Sequence, residues 1–188
     1  MSTKNIKKPA DVKLFFGILY PIKHEKELAK VIIILERKYG KFDAMSDEYD
    51  FSDITKYYDT ELGGHLKKRI FVCSRMINPE MIAAIKLYSN KLEDKLSIVK
   101  GSDIHRTINI DPGYFGLNNI VLASTKNFAH RTYLRKGIYS ELTLIFRKDR
   151  ILTFDWTYPD FKSETLKNFF WNQRTKLLNT MTKNRIRG

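Results

Sequence analysis

The sequence predicts an α+β fold: a mostly antiparallel sheet with helices packed on one face, in the specific form of a ferredoxin-like core with extra strands. Three observations carry this expectation. Strand patterns crowd the second half of the chain instead of alternating strictly with helices, which separates α+β from α/β architectures. The order of patterns is strand, helix, strand, helix, several strands, helix, with no internal repeat. Finally, 188 residues of which 43% are hydrophobic can bury a sizeable core. The expectation is one domain over residues 1–188, with 1–10 a flexible leader and 182–188 a frayed basic tail.

Residues 12–20, VKLFFGILY, form an apolar run suited to a strand buried on both faces, closed by Pro21. Gly17 within it marks a bulge, the approach of a ligand, or close packing of a helix. Over 25–39, Leu28, Val31, Ile32, Leu35 and Tyr39 keep helical spacing and Gly40 supplies a stop. The run Ile32-Ile33-Ile34 argues for a strand instead. Residues 43–61 hold seven acidic residues against Lys56, among aromatics, and read as a solvated connection or as a loop packed over the basic half. Gly63-Gly64 breaks that segment, and 66–77 reads as a strand.

Asn78-Pro79-Glu80 is a strong helix start: Asn caps free amides, Pro is preorganised at the first helical position, and Glu suits the positive end of the dipole. Ile82, Ile85, Ser89, Leu92 and Leu96 then share one face. Strands are expected at 106–111, 119–126, 138–147 and 150–156, the last two as a hairpin around Lys148-Asp149. Ser163 caps a final helix in which Leu166, Phe169, Phe170, Gln173, Leu177 and Met181 share a face.

A net charge of +13 and a pI near 9.7 favour an anionic partner, RNA, DNA, a nucleotide or an acidic protein, against the alternative of a Lys-rich solvated surface. The single cysteine, Cys73, excludes an intramolecular disulfide and a cysteine-rich zinc site, and fits the cytoplasm. No run approaches the roughly 18–20 apolar residues of a membrane span, and residues 1–10 lack the apolar stretch of a signal peptide. P-loop, GxGxxG, GxSxG and HExxH signatures are absent, the four histidines are scattered, and no metal or cofactor is implied by spacing.

Candidate site residues concentrate in 106–161. Asp111-Pro112-Gly113-Tyr114 fits a type II turn in which Asp111 bonds turn amides. Period-2 arithmetic puts Thr107, Asn109 and Asp111 on one face of the preceding strand. It puts Tyr139, Glu141, Thr143 and Ile145 outward on the later strand, with Ile138, Ser140, Leu142, Leu144 and Phe146 inward. Neighbouring strands would merge these into a polar patch; a solvated outer face produces the same alternation. Lys126, His130, Arg131, Arg135 and Lys136 make a basic loop with Phe128 and Tyr133 interleaved, a mixture that suits phosphate and a stacked base. Trp156-Thr157-Tyr158-Pro159-Asp160-Phe161 is a core-anchoring turn or a stacking wall. Two functional expectations follow. One is binding of an anionic ligand, RNA or a nucleotide, by Lys126, Arg131 and Arg135 with Asn109, Tyr139 and Asp160. The other is acid–base chemistry on a small phosphorylated or nucleotide substrate by His130, Glu141 and Asp111. A structural or interaction module is the third alternative.

The motifs KLFFGILY, NIDPGY, STKNFAHR, GIYSELTL and WTYPDF occur in that order along nearly the whole chain. In them the chain resembles a small prokaryotic family catalogued as domain of unknown function 4416. The resemblance implies that Asn109, Asp111, Lys126, His130, Arg131, Glu141 and Asp160 belong to the family pattern, and it implies no particular reaction.

Overall fold

The computed structural model describes residues 7–52, 62, 65–100 and 103–186. Strand β1 (Val12–Pro21) leads into helix α1 (Glu25–Tyr39), then β2 (Phe42–Met45), β3 (Tyr49–Asp50), β4 (Leu66–Ile77) and α2 (Ile82–Leu96). Gly40 ends α1 with φ +95°, its N–H returning to the Glu36 carbonyl. The isoleucine run is helical because Leu28, Val31, Leu35 and Tyr39 form the buried stripe, which turns Ile33 to solvent. At the entry to α2, the Asn78 side chain accepts the Glu80 N–H at 2.9 Å, with Pro79 opening the first turn. Within the acidic stretch, 53–61 and the Gly63-Gly64 break lie outside the described residues.

The second half contains a small ribbon, β5 (Ile98–Lys100) with β6 (Asp103–His105). It continues with β7 (Asn109–Phe115), β8 (Asn119–Ser124), β9 (Thr132–Arg135), β10 (Ile138–Phe146), β11 (Ile151–Leu152), α3 (Pro159–Lys162) and α4 (Glu164–Ile186). The expected hairpin forms between β10 and β11, though its second strand is two residues long. Ser163 caps α4 by accepting the Leu166 N–H.

The main sheet runs β11-β10-β8-β7-β1-β4-β2, with β3 beside β4 and β9 beside β10, and its pairings are antiparallel. Helix α1 joins β1 to β2 with β4 lying between them, and α2 joins β4 to β7. This is the split βαβ connectivity of a ferredoxin-like core, extended by β8, β10 and β11. Leu14, Phe16, Ile18 and Tyr20 of β1 pack against Val31 and Leu35 of α1 and Ile82 and Ile85 of α2. On the opposite face Phe15 meets Phe161, Leu166, Phe170 and Leu177, so the C-terminal helix makes a third layer and the helices cover both faces of the antiparallel sheet, not the one face expected. That double cover explains why β1 is apolar without alternation.

Two further expectations are corrected. Asp111-Pro112-Gly113-Tyr114 is not a turn; it lies inside β7, in register with β1 as Gly17↔Asp111, Phe16↔Pro112, Phe15↔Gly113 and Leu14↔Tyr114. Gly113 serves close packing: a Cβ there would stand 2.4 Å from Phe15 Cζ and 2.7 Å from the Val121 carbonyl oxygen. The strict alternation expected for β10 also fails, because its pairing with β8 shifts between Leu142 and Leu144. A bulge at Thr143 moves the following residues by one. Ile138 therefore joins the core beneath α1 and α2, whereas Leu144 and Phe146 join the core beneath α4. Glu141 and Thr143, expected outward, are both buried.

Gly113→Ala is expected to cost about 1–3 kcal/mol by overpacking. Urea denaturation checks this; a variant as stable as the parent would mean that Phe15 does not hold the position described.

Candidate functional site

The site begins with a ladder that stops. β7 and β8 pair only at Gly113↔Leu122, Tyr114↔Val121 and Phe115↔Ile120. One step further, Pro112 has no N–H to contribute. Its orientation follows from Ile110, which donates its N–H to Glu93 Oε1 at 2.5 Å and accepts from Lys86 Nζ at 3.0 Å. Both backbone groups of Ile110 thus point away from β1, and positions two apart on a strand share that orientation. The Pro112 nitrogen consequently faces β8 with nothing to offer, and the ladder ends there. Asn109, Asp111, Leu122, Ala123 and Ser124 line a cavity of about 880 Å³ at that parting.

Helix α2 supplies what the missing strand would have given. Lys86 and Glu93 stand on its sheet-facing stripe, both buried, and satisfy Ile110 as a neighbouring strand would. Lys86 also bonds Asp111 Oδ1 at 2.9 Å, while Asn109 Nδ2 donates to Asp111 Oδ2 at 2.6 Å. Burial works to raise the Asp111 carboxyl, but Lys86 and Lys68 together with these hydrogen bonds hold it below the usual carboxylate range. Glu93 goes the other way: burial pushes its carboxyl up, against the opposing pull of Lys86, the Ile110 amide and Arg106. Arg106 Nη1 bonds Glu93 Oε2 at 3.0 Å and Asn109 Oδ1 at 3.2 Å, joining the two groups.

The far end of the cavity is organised around Glu141, only 1% exposed. Its Oε2 takes Arg131 Nε at 2.8 Å and contacts His130 Nε2 at 3.1 Å. Arg131 further bonds Ser124 Oγ at 2.8 Å and the Lys126 carbonyl at 3.1 Å through Nη1, and Tyr158 Oη at 2.7 Å through Nη2. The guanidinium is fully engaged in holding the 126–131 loop to β8, β10 and the 156–161 segment. Burial first, and Glu141 second, push the Tyr158 hydroxyl up to about 12. His130 stacks with Phe128 and with Trp156, and Trp156 stacks with Phe154. Trp156 Nε1 donates to the Leu142 carbonyl and Thr157 Oγ1 to the Thr143 carbonyl, closing the edge of β10 between β9 and β11. Thr157, Asp160 and Phe161 of this segment are buried, whereas Trp156 and Tyr158 stay exposed beside the cavity, so the segment both anchors the core and walls the cavity.

Of the sequence-predicted residues, Asn109, Asp111, Lys126, His130, Arg131 and Glu141 line one cavity. They do so although β8 separates β7 from β10, so the expected direct neighbouring of those two strands does not occur. Arg135 and Tyr139 fall outside the lining; Arg135 is exposed, and Tyr139 packs edge-on against Tyr133. Asp160 sits behind the wall, buried, with Oδ2 accepting from Lys68 Nζ at 2.6 Å and Tyr49 Oη at 2.9 Å. Lys68, Lys86, Glu93 and Arg106 are lining residues that strand arithmetic alone could not find. The available signal was a lysine and a glutamate seven positions apart on the otherwise apolar face of α2. Among the described residues no group of three His, Cys, Asp or Glu side chains is placed to hold a metal ion. No described helix is long and apolar enough to cross a membrane.

Comparison by family places residues 10–177 within the family described as Domain of unknown function (DUF4416). The chain belongs to this family. Neither the curated proteins nor the solved structures contain a match.

Lys86→Met should cost roughly 1–3 kcal/mol, because it strands the Ile110 carbonyl and leaves Asp111 without its lysine. Asp111 also sets a pH dependence. With its folded pKa depressed, its stabilisation is complete above the ordinary carboxylate pKa and is lost as pH falls through the folded value. Thermal melts from pH 7 downward should show a shallower acid loss for Asp111→Asn than for the parent; parallel profiles would contradict the assignment.

Proposed function

We propose that the protein binds a small anionic ligand of nucleotide size in the cavity between β7 and β8. The observation that carries this reading is convergence: polar groups from β7, β8, β10, α2 and the 126–131 loop meet in one concavity. A volume near 880 Å³ lies in the range of small-molecule sites. Leu19, Phe51, Leu122 and Phe161 supply apolar wall beside Lys68, Lys86, Arg106 and Lys126.

Charge separates this ligand from RNA. The lining holds five Lys or Arg side chains, Lys68, Lys86, Arg106, Lys126 and Arg131, against four carboxylates, Glu93, Asp94, Asp111 and Glu141. A near-balanced lining favours a ligand of small charge over a polyanion, and Arg131 is committed to Glu141, Ser124 and Tyr158. The excess positive charge of the chain lies elsewhere, so weak surface attraction to polyanions is compatible with the same reading. A buried Cys73 thiol, raised by its burial to about 12, fits a reducing cytoplasmic setting.

A second reading rests on the His130–Glu141 contact. A buried carboxylate that orients an imidazole within a cavity is the arrangement a general base uses, and Asp111 lies in the same space. Mass spectrometry of phosphorylated compounds incubated with the protein tests it. Conversion that disappears in His130→Gln supports acid–base chemistry, and binding without any conversion rejects it.

For the binding reading, calorimetry with nucleoside monophosphates and with a short single-stranded RNA is decisive. Monophosphates should bind with affinity that falls only about as one or two counterions are released with salt. RNA binding with a slope of many counterions, beside undetectable monophosphate binding, would overturn the proposal.

A further inference from the structure

Among the described residues, two buried carboxylate oxygens have no partner in the protein, Glu141 Oε1 and Asp160 Oδ1. Asp160 lies behind the wall, whereas Glu141 is itself a lining residue of the cavity. Its two oxygens are used unequally. Oε2 accepts from Arg131 and meets His130, and Oε1, which has almost no accessible surface, has no hydrogen-bond partner. An acceptor left unsatisfied out of water is costly, and the cost is steepest for a charged one. The fold has the means to avoid it here, since the Ser124 and Tyr158 hydroxyls are already gathered around the same arginine. The lining also contains apolar wall at Leu122, in register with Glu141 across β8 and β10.

We propose that Glu141 Oε1 is the recognition point for a hydrogen-bond donor on the ligand, the ring N–H or amino group of a nucleobase. This deepens the binding reading above and rests on it: phosphate supplies the charge, and the base supplies the donor. A site built around a buried acceptor discriminates strongly against ligands that leave it unpaired. A sugar hydroxyl presents the same chemistry, so the test separates the two donors.

The probes are AMP, GMP, CMP, UMP and ribose 5-phosphate, each titrated calorimetrically against the full chain. At least one nucleotide should bind about tenfold or more tightly than ribose 5-phosphate. The form of that nucleotide with its base N–H groups methylated should lose most of the preference. Glu141→Gln keeps an oxygen for Arg131 but turns an amide N–H₂ toward the donor, so it should bring nucleotide and ribose 5-phosphate affinities within about twofold of each other. The methylated probe decides the matter on the parent protein if that variant does not fold. Equal binding of ribose 5-phosphate and every nucleotide, or an undiminished preference after methylation, overturns the base-donor assignment and leaves the anionic-ligand reading standing. No binding by any probe overturns both.

Discussion

The absence of one hydrogen on Pro112 is the constraint on which this structure turns. A proline facing the neighbouring strand cannot extend a ladder, and the two strands it would have joined part company. Parting would strand the backbone of Ile110, and the helix that crosses beneath supplies Lys86 and Glu93 in place of a strand. Ladder end, buried charges and cavity are one arrangement. The same device recurs at the sheet edge, where Trp156 and Thr157 side chains take the β10 carbonyls left open between β9 and β11.

Charge around the cavity is handled by pairing. Lys86 meets Asp111, Arg106 meets Glu93, Lys68 meets Asp160, and Arg131 meets Glu141, each at 3.0 Å or less. Each pair has at least one buried partner; such pairs contribute little net stability, but losing one partner is expensive where it strands a buried charge. The pairs therefore hold side chains in place around the cavity. They also recast the basic loop. Its most buried cation, Arg131, positions Glu141 and ties the loop to the sheet.

Much of this was legible in the sequence. The two-face apolar run of β1, the Asn78-Pro79 start before α2, the Gly40 stop and the helix capped by Ser163 each depend on local chemistry that a single segment carries. Asn109, Asp111 and Glu141 were legible from strand-period alternation, and Lys126, His130 and Arg131 from a dense basic loop. What was not legible depends on neighbours. Asp111-Pro112-Gly113-Tyr114 has every local mark of a turn, and only pairing to β1 and the ring of Phe15 over Gly113 make it a strand. Alternation placed Glu141 outward, but both faces of the sheet are covered and it lies buried. Arg135 was drawn in by the basic loop and Tyr139 by its alternation with Glu141, although the two lie on the β9–β10 hairpin and outside the cavity lining.

The proposed place where this protein meets its ligand is the space between β7 and β8. The most direct test is a crystal structure of protein purified gently enough to retain whatever it binds, with the retained molecule identified by mass spectrometry. The account predicts a single small anionic molecule in that space, in contact with Glu141 and within reach of Lys126 or Lys86. A retained molecule seated instead on Arg135 and Lys136, or along α4, would contradict it.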